Sequence, residues 1–376
     1  VERVGSASVA LFFAATIVVA CGNDHPPAGS TLGAPPPPPP GGLALPGCGQ
    51  QSNGGYCECV DAPIFFDPPN MYFVLDRSRS MADAQKWTNM QSGLTRVVRD
   101  IGPRANIGAF DFPGGDGTNC NPGDELMKIR PGDPVGELHG PTLTALTNAL
   151  AKIKPAGGTP TAAALGKTLA ALQGAPGRTF VVLATDGGPN CNSAAACDAT
   201  QCMANIENQP DCPPNGPANC CTPPAGIPET CLDAKPTIDA VTALFKANVP
   251  TFVVGPGGVP IYASLLDDLA TAGGTAKPQS PKYYSVDSSD ATALATTLKQ
   301  VAARIVATCT YKLTQQNLEQ DTVNVYFDET VVARDVVNGW TISGDTVTLV
   351  GNSCAAVMNG DVLDVRIVVG CPTVLH

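Results

Sequence analysis

The sequence predicts an α/β fold, a doubly wound and mostly parallel sheet with a cysteine-rich insertion, followed by a small C-terminal antiparallel β domain. Three observations predict it. Between Met71 and Val306, apolar strand-like runs alternate with helix-like segments, the order that produces parallel sheets covered by helices on both faces. The runs MYFVLD, TFVVLAT and TFVVG are almost continuously apolar, as strands buried on both faces are. From Cys309 onward, polar and apolar residues instead alternate around Gly, Asn and Asp turns, the pattern of a half-buried antiparallel sheet.

The chain divides accordingly. Residues 1–20 carry Arg3 near the start, then an apolar core, then Val18-Val19-Ala20 before Cys21. This resembles a bacterial lipoprotein signal peptide, whose cleavage leaves Cys21 bearing the lipid; the core is too short to span a membrane. An ordinary secretory signal is the competing reading. Residues 21–47 form a Pro-rich tether with six consecutive prolines, Pro35 to Pro40. At about 3.1 Å per residue in the polyproline II conformation, it would lift the folded part tens of ångströms from a membrane. Residues 48–69 are a cysteine-bearing lead-in, expected to pack on the main domain.

The α/β domain is expected over residues 70–308. Strand MYFVLD leads into a helix from about Ala82 to Asp100, strand ANIGAFDF and a Gly-rich loop to Cys120. A short edge strand at Glu125 to Ile129 precedes a helix from about Leu143 to Ile153, and GGTPT opens a further helix to Leu172. Strand TFVVLAT, helix Thr237 to Ala247, strand TFVVG, helix Tyr262 to Thr271, a strand near Tyr283 to Val286 and helix Ala291 to Val306 complete it. Residues 187–236 break the alternation with seven cysteines and many Pro and Asn, and read as a disulfide-stapled insertion growing from the Asp186 loop. Residues 309–376 carry YKLT, TVNVYFDE, WTISGDTVTLV and VLDVRIVV, the alternating segments of the β domain.

Chemistry concentrates where the first strand ends. MYFVLDRSRSM places Asp76, Ser78 and Ser80 at alternate positions just as a buried strand emerges into a loop. Oxygen side chains aimed from a tight turn suit a hard divalent cation. GGTPT adds the hydroxyl of Thr159, and TFVVLATDGGPN ends a second buried strand near Asp186. These three pieces, in this order and at these positions, resemble the metal-ion-dependent adhesion site of the von Willebrand factor type A family, over about Pro69 to Thr308. The resemblance implies that Asp76 and Asp186 contribute carboxylates, and Ser78, Ser80 and Thr159 hydroxyls, to Mg2+, with Mn2+ or Ca2+ as substitutes. It further implies an open coordination position that a protein partner fills with an exposed Asp or Glu. Arg77 and Arg79 flank the serines, and Arg79 departs from the small residue often found there. Both are candidates for contact with an acidic ligand, for opposing the cation, or for solvent. Asp111, Asp116 and Asp124 lie in a loop where Ca2+ is imaginable, although turn chemistry accounts for them as well.

Charge and residue counts narrow the function. The net charge is -11, with 22 Lys and Arg against 33 Asp and Glu and no basic run, so nucleic acid is excluded as a partner class. Only three His are present, at His25, His139 and His376, and no Walker-type phosphate loop occurs, so no enzyme is expected. Fifteen cysteines suit an exported, disulfide-bonded chain; setting aside Cys21 leaves fourteen. Zinc is the rival for Cys57, Cys59, Cys220 and Cys221, but the spacing matches no common zinc pattern. Cys120 follows a parallel strand, so an insertion cysteine can reach it. In the type A arrangement the chain enters and leaves opposite the metal, so the two odd trios, Cys48, Cys57, Cys59 and Cys309, Cys354, Cys371, are expected to share a bridge. The reading is a lipid-anchored protein of the bacterial envelope, outer membrane or surface, that binds a protein partner through a cation. An envelope role in which metal mainly stabilises the fold is the alternative.

Overall fold

The computed structural model describes residues 49–50, 56–57, 60–61, 64–65 and 68–375, except 116–119, 135–136, 196–228, 230, 257–259, 288–289, 315–317, 329, 360 and 363–364. The signal segment, Cys21, the tether and the greater part of the insertion, with Asp116, lie outside the described residues. Four short strands come first: β1 (Gly49–Gln50), β2 (Tyr56–Cys57), β3 (Val60–Asp61) and β4 (Ile64–Phe65). The α/β part then runs β5 (Asn70–Asp76), α1 (Lys86–Ile101), β6 (Asn106–Phe112), β7 (Asp124–Pro131), α2 (Pro141–Leu150), α3 (Thr161–Ala171) and β8 (Thr179–Ala184). It continues through α4 (Ala234–Lys246), β9 (Thr251–Pro256), α5 (Pro260–Ala272), β10 (Tyr284–Val286) and α6 (Ala291–Val306).

These strands form one six-stranded sheet in the order β10-β9-β8-β5-β6-β7, parallel except where β7 pairs antiparallel with β6. All seven residues of β5 are buried, because strand residues alternate between faces and both faces are covered. Met71, Phe73 and Leu75 point into one core with α1, α2 and α6; Tyr72 and Val74 point into a second with α3, α4 and α5. This is the doubly wound arrangement that the apolar runs predict.

The largest boundary difference is at the start of α1. The helix expected from Ala82 begins at Lys86, because Arg79–Gln85 forms 3-10 turns broken by extended Asp83 and left-handed Ala84. The loop from Asp76 must stay tight to hold its side chains at the strand end, and that leaves no room for helix until Lys86.

Beyond α6, β11 (Thr310–Leu313), β12 (Val323–Phe327), β13 (Thr330–Val332), β14 (Trp340–Ser343), β15 (Thr346–Leu349), helix α7 (Asn352–Asn359) and β16 (Val365–Val369) follow. They make two antiparallel four-stranded sheets, β14-β15-β11-β4 and β13-β12-β16-β3, around a core that includes fully buried Trp340. The lead-in was expected on the main domain, yet β3 and β4 hydrogen-bond into these C-terminal sheets. The physical reason is that β11 and β16 would otherwise present unpaired edges. Cys309 and Cys354 are bonded, with Cα atoms 5.2 Å apart. Cys371 is also disulfide-bonded, so its partner is neither of those two. Among the described residues no helix is long and apolar enough to cross a membrane.

Candidate metal centre

In this sheet β6 and β7 extend to one side of β5 and β8 to the other, so strand order reverses between β5 and β8. Ligand sites in open α/β sheets form beyond the carboxyl ends of the strands at such a reversal. Asp76 ends β5 and Asp186 follows β8 by two residues, which puts one carboxylate on each side of it.

The loop after β5 is built around Asp76, which is fully buried. The Ser78 amide donates to its Oδ1 at 2.8 Å and the Thr185 hydroxyl to its Oδ2 at 2.6 Å. Ser78 and Ser80 then turn towards β8: their hydroxyl oxygens lie 3.1 Å apart, and Ser80 Oγ donates to Asp186 Oδ1 at 2.8 Å. Thr159 is brought to the same loop by backbone bonds from Ala156 N–H to the Arg77 carbonyl (2.9 Å) and from Arg79 N–H to the Gly157 carbonyl (3.0 Å). Asn190 clamps Thr159 from the other side, its Oδ1 accepting from Thr159 N–H at 2.7 Å and its own N–H reaching the Thr159 carbonyl at 2.9 Å. A side chain at Gly158 would collide with the Cys191 sulfur, so glycine is required there.

The edge is further clasped by a disulfide between Cys120, in the loop after β6, and Cys191, with Cα atoms 5.3 Å apart. This is the bridge that the position of Cys120 predicts. The two ends of the insertion close into a neck beside it: Cys191 N–H meets the Glu229 carbonyl, Asp233 N–H the Pro189 carbonyl, and Asn192 the Asp233 carboxylate.

Asp76, Ser78, Ser80 and Asp186 thus form one hydrogen-bonded chain, with Thr159 held against its loop. The two flanking arginines separate. Arg79 is exposed beside the serines. Arg77 is neither in solvent nor available to a ligand: it is 4% exposed, its Nε lies 2.9 Å from Asp111 Oδ2, and it donates to the Lys154 and Gly115 carbonyls. The cause is the strand partner. β5 and β6 are paired in parallel and β6 brings Asp111 beside Arg77, whose burial an unpaired charge would forbid. Asp111 is thereby engaged by Arg77, and Asp124 is exposed, 3.7 Å from Lys167.

Lys86, Thr185 and Asn190 also belong to this edge, although the sequence reading did not single them out. Lys86 Nζ donates to Asp186 Oδ2 at 2.6 Å and to the Ser80 carbonyl at 3.3 Å. A basic residue in the first turn of a helix, against the helix dipole, is the signal that would have marked it, once the helix start was known.

Burial, and then the charge of Asp186, push the Asp76 carboxyl well above the usual carboxylate range. Lys86 pairs with Asp186, while the Asp76 carboxyl is held by the Ser78 amide and the Thr185 hydroxyl. Among the described residues no three His, Cys, Asp or Glu converge, and the candidate donors gathered here are two carboxylates and neutral hydroxyls. That all-oxygen set fits a hard divalent cation and not a thiolate- or imidazole-bound one.

No protein-family model and no curated protein matches the chain. Among solved structures, the pilus adhesin SpaC from Lactobacillus rhamnosus GG is 13% identical, covers 87% of this chain and 40% of its own, and has a TM-score of 0.45. A von Willebrand factor type A protein from Catenulispora acidiphila is 12% identical, covering 84% of this chain and 60% of its own, with a TM-score of 0.42. The manganese-loaded TRAP protein of Plasmodium vivax is 18% identical, covering 64% of this chain and 74% of its own, with a TM-score of 0.37. The chain therefore spans well under half of the pilus adhesin's length. The doubly wound sheet itself is read from this chain's own strand order.

Proposed function

We propose that this is a binding protein of the bacterial cell envelope that takes an Asp or Glu of a protein partner onto a divalent cation, Mg2+ first and Mn2+ or Ca2+ as substitutes. The observation that carries the reading is the convergence of buried Asp76 and Asp186 with the Ser78 and Ser80 hydroxyls at the strand reversal. Asp76, Ser78, Ser80, Thr159 and Asp186 would hold the cation. When bound, it supplies an electrophilic position for a carboxylate that the protein leaves open. The hydroxyls of Ser78, Ser80 and Thr159 are weak neutral donors, so the cation's coordination is incompletely satisfied by the protein and an open position remains for an anionic ligand. Arg79, which is exposed, would meet that ligand by charge-assisted hydrogen bonds. Disulfides at Cys120–Cys191 and Cys309–Cys354 support an oxidising compartment, and Cys21 would carry the lipid that anchors the tether.

The test is thermal unfolding of the mature chain in EDTA and with each cation restored, beside Asp186→Ala. A rise in Tm with Mg2+ or Mn2+ that the variant loses is expected, since a ligand that binds only the native state stabilises it. No shift with any cation sinks the reading. A shift without EDTA-sensitive capture of any acidic protein ligand would favour a cation that serves stability alone.

A further inference from the structure

We propose that Lys86 is a tethered cation that holds Asp186 until a divalent ion displaces it, and so sets the affinity of the site and couples its occupancy to the shape of the 79–86 segment. The proposal rests on the cation-site reading above.

The contacts define the competition. Lys86 Nζ takes Oδ2 of Asp186 while Ser80 Oγ takes Oδ1, so both carboxylate oxygens are engaged by the chain itself. The same ammonium touches the Ser80 carbonyl, and thereby two of the five donor residues. Charge counting then favours exchange over coexistence. Asp76 and Asp186 carry two negative charges at most, which a divalent ion alone neutralises. The ion and the ammonium together would bury an excess positive charge.

Local structure shows that Lys86 is held there at a cost. It is the first residue of α1, where the helix dipole disfavours a cation, and the first turn holds no acidic residue to offset it. The two residues before it, Ala84 (φ 47°) and Gln85 (φ 61°), both occupy the left-handed region without being glycine. Three unfavourable features thus converge on one contact, Lys86 to Asp186. That contact holds the segment together with the Lys86 N–H bonds to the Met81 and Asp83 carbonyls, so its loss weakens what maintains them. Lys86 also has a way out, since its side chain is 23% exposed, against 5% for Arg77 in the neighbouring ion pair. Displaced, it reaches water without leaving a cavity in the core.

Binding of Mn2+ to the full mature chain, read from the electron paramagnetic resonance signal of the free ion, tests the competition. A site occupied by its own ammonium about nine-tenths of the time binds about tenfold more weakly than an open one. Lys86→Met is therefore expected to bind Mn2+ about tenfold more tightly than wild type, and Lys86→Arg to stay close to wild type. Should Lys86→Met fail to fold, Lys86→Gln, which keeps a hydrogen bond without the charge, carries the same expectation. Mn2+ bound equally well or less well by these variants, with wild type binding, overturns the proposal and leaves the cation site standing. No binding by any of them overturns both. Of the two tryptophans, Trp87 follows Lys86 and Trp340 is buried in the C-terminal sheets, so the part of the emission that responds to Mg2+ reports the segment. A Mg2+-dependent change present in wild type and absent in Lys86→Met supports the coupling, and an equal change in both refutes it.

Discussion

The ends of β6 and β8 each carry a buried carboxylate neutralised by a basic side chain, and the two pairs are built for different fates. Asp111 meets Arg77, a planar guanidinium whose other nitrogens are tied to two backbone carbonyls and which is almost fully buried. Asp186 meets Lys86, a single ammonium on a flexible stem with an open route to solvent and a second carboxylate nearby. Arginine forms a fixed pair because its donors are fixed in one plane; lysine brings a point charge that can be exchanged. One strand end is thereby a structural anchor and the other, across β5, the candidate site.

Breaking the anchor should have the largest effect. Arg77→Met leaves Asp111 buried without its partner and is expected to cost about 3–5 kcal/mol in urea unfolding, regardless of added cation. A loss that Mg2+ restores would mean the two strand ends are not distinct. Opening the clasp between them comes next: Cys120→Ser with Cys191→Ser is expected to cost about 2–4 kcal/mol and to weaken Mn2+ binding, because Cys191 adjoins the Asn190 clamp on Thr159. Unchanged binding would show that the neck of the insertion does not position the site. Asp186→Asn should abolish cation-dependent stabilisation, about 2.7 kcal/mol for wild type at a hundredfold excess over Kd, with the cation-free protein altered much less. If instead the cation-free variant collapses, the Lys86 pair is as structural as the Arg77 pair.

The smallest effect is a pH slope. Burial outweighs Arg77 and lifts Asp111 to about 6, above its unfolded value of 3.8. The folded state therefore holds the proton more tightly than the unfolded one, and stability of the cation-free protein falls as pH rises from about 4 to about 6. Asp76, raised by burial and Asp186, acts in the same direction. Denaturant midpoints across that range should flatten in Asp111→Asn; an unchanged slope would assign it elsewhere.

The sheet and the meeting of Asp76, Ser78, Ser80 and Asp186 at its edge were legible because each signal is local. Apolar runs mark strands buried on both faces, and Asp76, Ser78, Ser80 and Asp186 come where those runs stop. Arg77 was not legible, since a charged residue just past a strand looks solvent-facing until β6 is known to bring Asp111 beside it. Lys86 fell inside an apparently continuous helix, because nothing in RSMADAQ announces two left-handed residues without glycine. β3 and β4 are two residues each, too short to show a period, and their partners lie at the far end of the chain. Helix α7 has only eight residues and sits among alternating residues that favour strand.

The pairing of β3 and β4 with β16 and β11 bears on the order in which the molecule is assembled. Each C-terminal sheet takes one edge strand from before the α/β part and the rest from after it. Closing a loop of that length on its own is slow and entropically costly. The α/β part, whose strands and helices neighbour one another in sequence, can fold first and carry both flanking segments towards each other. Synthesis must then reach β16 before β3 finds its partner. A chain halted after α6 would have a complete six-stranded sheet but two unpaired strands ahead of it, so the segment that follows α6 acts as the step that seals β3 and β4.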